Sequence, residues 1–185
     1  MTTWTHDAAH SQVEFSVKHM MITTVRGQFR KFTVDVDFDE DAPEKSYVVA
    51  HLDASSIDTG MEARDAHLKS ADFFEVESYP ELTFRSTSIA RDGDGYEIAG
   101  DLTIKGKTHP VTLAAEIGGI VPNMQGGRRA GFNATTKISR KDFGLTWNQV
   151  LEAGGLAVGD EIKISIDLAV TQAEAAAREL VGAAA

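Results

Sequence analysis

The chain has 185 residues, of which 42% are hydrophobic and 25% charged, values typical of one ordinary globular domain and not of a disordered, collagen-like or membrane protein. Its 28 acidic and 18 basic residues give a formal net charge of −10, which disfavours binding to nucleic-acid phosphates and anionic lipid headgroups. The sequence contains no cysteine, so disulfides, thiolate metal sites and a cysteine nucleophile are excluded.

The sequence opens without a basic segment followed by an apolar run, and no stretch approaches the ~20 apolar residues of a membrane span. These features predict a cytoplasmic protein without stable membrane insertion. We expect one domain over residues 1–172, followed by an alanine-rich tail over residues 173–185.

Polar and apolar residues alternate along the first part of the chain with a period of two, which is typical of strands with one buried face. Three such runs span residues 11–19, 28–41 and 47–56. Phe29 and Phe32 are out of phase with each other, which predicts a β-bulge between them. The positions predicted to face inward are Val13, Phe15, Val17, His19, Val34, Val36, Phe38, Val48, Ala50 and Leu52.

The alternation stops between Ser56 and Pro80. Residues 59–62 (TGME) have the form of a capping box, which predicts a helix from about Gly60 to Leu68. Residues 71–75 are predicted to form a second, shorter turn, and Pro80 ends the insert because the residue before a proline avoids the helical conformation. We expect this helical insert to lie over the barrel as a lid.

Five further alternating runs follow, with turns predicted at residues 91–93 and 106–110. The total of about eight antiparallel strands, each with one apolar face, predicts an all-β protein that closes into a barrel. The inward positions of these runs are Leu82, Phe84, Tyr96, Ile98, Leu102, Ile104, Phe132, Ile162, Ile164, Ile166 and Leu168.

The six histidines show no spacing typical of metal ligands, so neither a metal nor a cofactor is predicted. His19 lies on the inward face of its strand and His67 on the predicted helix. Each is interpreted as a structural residue or, alternatively, as a hydrogen-bonding partner of a ligand headgroup. Asp7 is interpreted as forming an Asx-turn, although it could also orient a neighbouring histidine. Nucleophile-elbow, P-loop and dinucleotide-binding motifs are missing from the sequence.

Several short segments of the sequence follow one another in a distinctive order. They are DAAHS and VEFSVKHM within residues 7–20, VRGQF at 25–29, IDT at 57–59, DAHLKSADFF at 65–74, YP at 79–80, Phe84, GDLTIKG at 100–106, RKDFG at 140–144 and VGD at 158–160. Together they resemble the YceI-like, polyisoprenoid-binding family from about Trp4 to Val170. The resemblance implies a lipocalin-like antiparallel barrel that encloses a long isoprenoid, such as a quinone tail or a polyprenyl lipid, in an apolar tunnel.

Alternation alone leaves open whether the inward side chains pack a solid core or line a tunnel, and the resemblance favours the tunnel. We expect the lid, about residues 57–79, and the loop over residues 140–158 to border the opening, with flexible methionines at the entrance. The predicted ligand-binding residues are Phe15, Val17, His19, Met20, Phe29, Leu52, Met61, His67, Phe74, Phe84, Leu102, Ile104, Phe132, Trp147 and Ile164.

The predicted function is binding, sequestration or transport of a long-chain isoprenoid or similar apolar lipid, without catalysis. Two alternatives remain open. One is an enzyme that acts on a small apolar or isoprenoid substrate with His19 or His67 as general base, and the other is a ligand-free stress-response or interaction protein with a filled barrel. A homodimer through Tyr47 or Val49 on an outer face also remains open.

Overall fold

The structure is a computed structural model that describes residues 3–124 and 126–172. This part of the chain contains one α-helix, α1 (Glu62–Lys69), and four short 3-10 helices at Ala8–His10, Pro43–Lys45, Ala54–Ser56 and Arg140–Phe143. Its strands are β1 (Thr3–His6), β2 (Gln12–His19), β3 (Thr23–Phe29), β4 (Phe32–Asp37), β5 (Tyr47–Asp53), β6 (Ile57–Asp58), β7 (Glu81–Asp92), β8 (Gly95–Ile104), β9 (Lys107–Pro122), β10 (Arg128–Ser139) and β11 (Val158–Gln172). The predicted tail over residues 173–185 lies outside the described residues.

The strands form one antiparallel sheet that closes on itself. Three pairs of short strands act as three longer ones, since β1 and β2 lie along the same edge of β11, β3 continues into β4, and β5 continues into β6. Each strand pairs with its neighbours along the chain, and β11 returns to pair with β1 through His6 and Val170. The result is an eight-stranded antiparallel barrel, which confirms the predicted all-β, lipocalin-like architecture.

An interruption lies where the out-of-phase phenylalanines predict a bulge. β3 ends at Phe29 and β4 begins at Phe32, and the carbonyl of Lys31 between them accepts a hydrogen bond from the amide of Asp53 at 2.9 Å. The buried Phe29 packs inside the barrel, whereas Phe32 lies against the His6 ring with their centroids 5.1 Å apart. Because the strand is interrupted between the two residues, Phe29 can pack inside the barrel while Phe32 packs against His6.

The helix is shorter than predicted, and the predicted capping box is wrong. Gly60 has a φ of +75°, a left-handed conformation that delays the start of α1 until Glu62. The amide and hydroxyl of Thr59 both donate to Oδ1 of Asp65, at 2.9 and 2.6 Å, so Asp65 occupies the role predicted for Glu62. Residues 71–75 form turns as predicted, with the amide of Phe73 donating to the carbonyl of Ser70 at 3.0 Å.

Two turns are displaced from their predicted positions. The first hairpin turns at Gly93 and Asp94, because β7 extends as far as Asp92. The second turns at Lys105 and Gly106, which both have positive φ, and Pro110 lies within β9. β10 does not pair with β9 at this position, because the pairing of the two strands begins only at Ala114, and proline is tolerated where one side of a strand is unpaired.

Two apolar clusters pack the ends of the barrel. The helix-end cluster consists of Phe29, Ala54, Ile57, Phe73, Leu82, Ile104, Phe143 and Leu145. The far-end cluster consists of Trp4, Phe38, Ala130 and Val170. The directions of the strands place these two clusters at opposite ends of the barrel. The volume between the clusters therefore shows whether the interior is solid or hollow.

Candidate functional site

The barrel interior between the two clusters is hollow. It contains a cavity of about 280 Å³ whose wall comes from every long strand of the barrel. For scale, an engineered apolar cavity of ~150 Å³ stays dry and binds benzene. The interior is therefore not packed solid, and the period of two along each strand produces the wall of this cavity.

Aromatic rings fit into the wall because two positions lack side chains. The ring of Phe15 lies over Gly27, its directly paired neighbour on β3, and a Cβ added at Gly27 would overlap that ring. The ring of Phe84 covers Gly100 on β8 in the same way. Each glycine lets a phenylalanine lie close to the sheet, which leaves space free along the axis.

Most residues predicted to bind the ligand lie in this wall. Those that line the cavity are Phe15, Val17, Phe29, Leu52, Phe74, Phe84, Leu102, Ile104, Phe132 and Ile164. All of them except Phe74, which comes from the turn after α1, are inward positions of strands.

Five of the predicted residues lie outside the wall. Met20 and Met61 are 45% and 54% exposed, because Met20 lies in the hairpin turn beyond β2 and Met61 precedes the first residue of α1. His19 is the last residue of β2 and is also not part of the wall. His67 and Trp147 contact each other edge to face, with ring centroids 4.7 Å apart.

The His67 ring has a structural environment. Its Nε2 lies 2.8 Å from Oδ2 of Asp72, and its ring packs against Phe73 at 5.1 Å between centroids. The contacts with Phe73 and Trp147 attach the helical insert to the loop over residues 140–158. His67 therefore braces the insert against that loop.

The sequence interpretation missed the role of Arg140. This side chain is 3% exposed, lines the cavity and donates to the backbone carbonyls of Gly159, Leu145, Trp147 and Val158 at 2.8, 2.6, 2.8 and 3.3 Å. Burial lowers the pKa of Arg140, while the carboxylate of Asp160, 3.6 Å away, acts in the opposite direction. A lone arginine after a strand gives no pattern from which such a set of bonds could be predicted.

Asp7 fulfils both of the roles considered for it. Its Oδ1 accepts from the amide of Ala9 at 3.1 Å, and its Oδ2 lies 3.0 Å from Nδ1 of His10 and also pairs with Arg129. Burial raises the pKa of Asp7, but the hydrogen bond and the charge of His10, with Arg129, outweigh it and hold the pKa below its usual value. These contacts join β1 to β10 outside the cavity wall.

The helix end of the cavity is closed, which does not match the opening expected between the lid and the loop over residues 140–158. Phe73, Phe143 and Leu145 fill that region, and Phe143 is only 1% exposed. The wall instead approaches the surface at Tyr47, which is 45% exposed. The described residues contain no group of three side chains suited to hold a metal ion.

Comparison with known proteins places the barrel in a family. The YceI-like domain matches residues 4–170. This chain belongs to the YceI-like family. A UPF0312 protein of Staphylococcus aureus strain N315 is 40% identical over 164 residues, which cover 88% of this YceI-like chain and 94% of that protein.

Solved structures share the barrel of this YceI-like protein. Burkholderia cenocepacia BcnA is 29% identical, with a TM-score of 0.78 over 90% of this chain and 99% of that one. A Saccharophagus degradans structure described as a polyisoprenoid binding domain superposes with a TM-score of 0.62 over 93% of this chain and 99% of that one. Since that domain is 13% identical, the likeness shows the fold alone. In residues 3–124 and 126–172, no helix is long and apolar enough to cross a bilayer.

Proposed function

We propose that this YceI-like protein binds and sequesters a long apolar molecule of the isoprenoid class inside its barrel, without catalysis. The observation that carries the proposal is the cavity of about 280 Å³, enclosed by apolar side chains between two packed ends. The polyisoprenoid binding domain of Saccharophagus degradans, which shares the fold, is consistent with this ligand class.

Burial of hydrocarbon is sufficient to hold such a ligand. Each CH₂ group removed from water contributes roughly 0.8 kcal/mol, so one five-carbon isoprene unit supplies a few kcal/mol before the costs of association are subtracted. Side chains such as Phe84, Leu102 and Ile164 offer such a ligand an apolar surface without a charged contact. Affinity would then rise with the length of chain that fits inside.

The charges support a neutral headgroup of the quinone type over a diphosphate. Arg140 is the one cation among the described wall residues, and its N–H groups are already bonded to backbone carbonyls. Positive charge for a diphosphate could otherwise come from Arg128, Arg129, Lys105 or Lys107. The first three are engaged, since Arg128 pairs with Glu40, Arg129 with Asp7, and Lys105 donates to the carbonyl of Ala71 at 3.0 Å. A diphosphate would have to displace these partners in a protein with a net charge of −10.

Sequestration is favoured over an enzymatic function by the positions of the histidines. None of the histidines in the described part of the chain lines the cavity, and His67 is engaged by Asp72. A general base must lie within hydrogen-bonding reach of the proton that it removes. The transport role and the cytoplasmic location remain predictions, and cell fractionation would test the location.

Native mass spectrometry of the purified protein, before and after extraction with organic solvent, tests the proposal. We expect an adduct whose mass matches a neutral isoprenoid, its loss after extraction, and its return when a quinone with an isoprenoid tail is added. A protein that shows only its own mass, and that does not take up an added quinone or polyprenol, would overturn the proposal and favour a ligand-free barrel.

The variant Phe84→Asp tests whether the ligand occupies this cavity. An unpaired carboxylate in an apolar wall is costly, so the folded variant should lose retention of the isoprenoid. Ala114→Asp is the matched control, because Ala114 is exposed on the outer face of β9. Retention by a folded Phe84→Asp protein at the level of the control would place the ligand elsewhere.

A further inference from the structure

The barrel wall has a seam between β5 and β7. The two strands are paired from Asp53 and Glu81 as far as Val49 and Arg85, where the pairing stops although β7 continues to Asp92. At the next position, the amide of Val48 donates to the side-chain Oγ of Ser86 at 2.9 Å instead of to a backbone carbonyl. Backbone hydrogen bonds therefore do not close the barrel on this side of β7.

A bulge accompanies the end of the pairing. The register of β7 against β8 shifts between Ser86 and Ser88, a feature that bends a strand and changes the direction of its side chains. The other edge of the barrel is different, because β10 and β11 are paired continuously from Arg128 with Gln172 to Ser139 with Glu161. β2 and β11 also have an irregular register beyond Val158, but the bonds from Arg140 cover that position.

The cavity extends to this seam. The wall residues around it are Pro43, Ser46, Tyr47, Ile89 and Tyr96. Tyr47 is 45% exposed, whereas the helix-end and far-end clusters that close the two ends are buried. The seam is thus the place where the apolar wall meets solvent on the side away from α1.

A short segment, residues 39–46, crosses beside the seam, and we call it the strap. It is bonded largely to itself, because Oδ1 of Asp39 accepts from the amides of Asp41 and Ala42 at 3.0 Å and the amide of Asp39 donates to Oγ of Ser46 at 2.9 Å. Its 3-10 turn packs against β7. An ion pair between Glu40 and Arg128, with atoms 2.6 Å apart, joins the strap to β10.

We propose that the ligand enters and leaves the barrel sideways, through the seam between β5 and β7, when the strap moves away. Tyr47 and Ile89 lie at the threshold and contact the ligand as it passes. Movement of the strap breaks one ion pair and its packing against β7 but preserves the internal bonds of the strap, so it requires no unfolding of the barrel. This inference rests on the proposed function.

A disulfide across the seam tests the route. The chain has no cysteine, so Val48→Cys with Ser86→Cys gives a single possible bridge, and the 2.9 Å hydrogen bond from the amide of Val48 to Oγ of Ser86 shows that the two residues are close enough for a disulfide. The protein is loaded with dansyl-labelled farnesol while reduced, then oxidised, and release of the probe is followed by fluorescence. We expect oxidation to slow release at least tenfold and reduction to restore it.

The matched control is Thr135→Cys with Ser165→Cys, which bridges a directly paired position of β10 and β11 on the outer face. Its oxidation should leave release unchanged. Release from the oxidised seam variant at the rate of its reduced form would overturn the proposed route. Failure of the wild-type protein to bind the probe would instead contradict the proposed function, so the two failures are distinguishable.

A second variant tests the strap without a disulfide. Glu40→Gln removes the ion pair with Arg128 and should accelerate release of the probe severalfold. Glu161→Gln removes a comparable exposed pair with Lys137, 3.5 Å apart and distant from the seam, and should leave the rate unchanged. Equal release rates from these two variants would overturn the role of the strap.

Discussion

The buried guanidinium of Arg140 is expected to stabilise the loop over residues 140–158, and replacement of this side chain tests that expectation. Its donors satisfy carbonyls on both sides of the loop, and its side chain is almost fully enclosed. Arg140→Met removes the charge and every donor while it keeps an unbranched side chain in place of the aliphatic part of the arginine. The backbone carbonyls that accepted these bonds are those of Leu145, Trp147, Val158 and Gly159.

The expected loss of stability can be bounded from these bonds. A buried acceptor left without a partner costs about 1–3 kcal/mol, and simple addition over the four carbonyls would overestimate the effect because part of the loop can turn to solvent. A hydrogen bond to a charged donor contributes about 1.5–3 kcal/mol, so the loss of two such bonds that solvent does not replace gives an expected decrease of about 3–6 kcal/mol in the free energy of unfolding. For a chain of this size, that decrease lowers Tm by roughly 6–24 °C.

Urea and thermal denaturation followed by circular dichroism measure this change. The matched control is Lys141→Met, because Lys141 is exposed and pairs with Asp160 at 2.8 Å. An exposed ion pair contributes about 0–1 kcal/mol, so the control should be nearly as stable as the wild type. If Arg140→Met loses no more stability than Lys141→Met, the loop is held by its apolar contacts and the reasoning from the guanidinium fails.

Two further predictions concern the wall and the acidic pH range. Gly27→Ala places a Cβ within the ring of Phe15, so we expect urea denaturation to show a loss of about 1–3 kcal/mol in the free energy of unfolding. The control Gly131→Ala, whose added Cβ meets no atom within 4 Å, should keep the stability of the wild type. Equal stability of the two variants would show that the Phe15 ring has space to move. Because bonding to His10 and nearby positive charge hold the pKa of Asp7 below its usual 3.8, the charged form stabilises the fold above that pH. The stability difference between wild type and Asp7→Asn should therefore shrink as the pH falls from 3.8 through the lowered pKa, and a difference that does not change over that range would refute the assignment.

The architecture and much of the wall follow from local alternation. A period of two fixes which side chains share a face, and closure of the sheet then places Phe84, Leu102 and Ile164 around one cavity. The break between Phe29 and Phe32 is equally local, since the change of phase is visible in the sequence. Such features need no knowledge of distant parts of the chain.

Features that depend on contacts between distant segments could not be predicted in this way. The bonds from Arg140 and the end of pairing between Val49 and Arg85 involve loop conformation and register, which alternation does not encode. The flexibility of methionine and the positions of Met20 and Met61 in the sequence predict both at the entrance, but both are exposed outside the wall. The predicted capping box failed for a related reason, because the left-handed Gly60 gives Thr59 another partner.

The packed clusters at the two ends give the hollow a fixed depth. A guest shorter than this depth leaves part of the wall uncovered, and a guest that is longer must fold back on itself or project into water. Under the proposed function, Phe38, which lines the cavity and packs against Trp4 with ring centroids 6.1 Å apart, sets the length of hydrocarbon that fits. Smaller side chains at these two positions would extend the cavity, so relatives with different residues there should prefer ligands of different size.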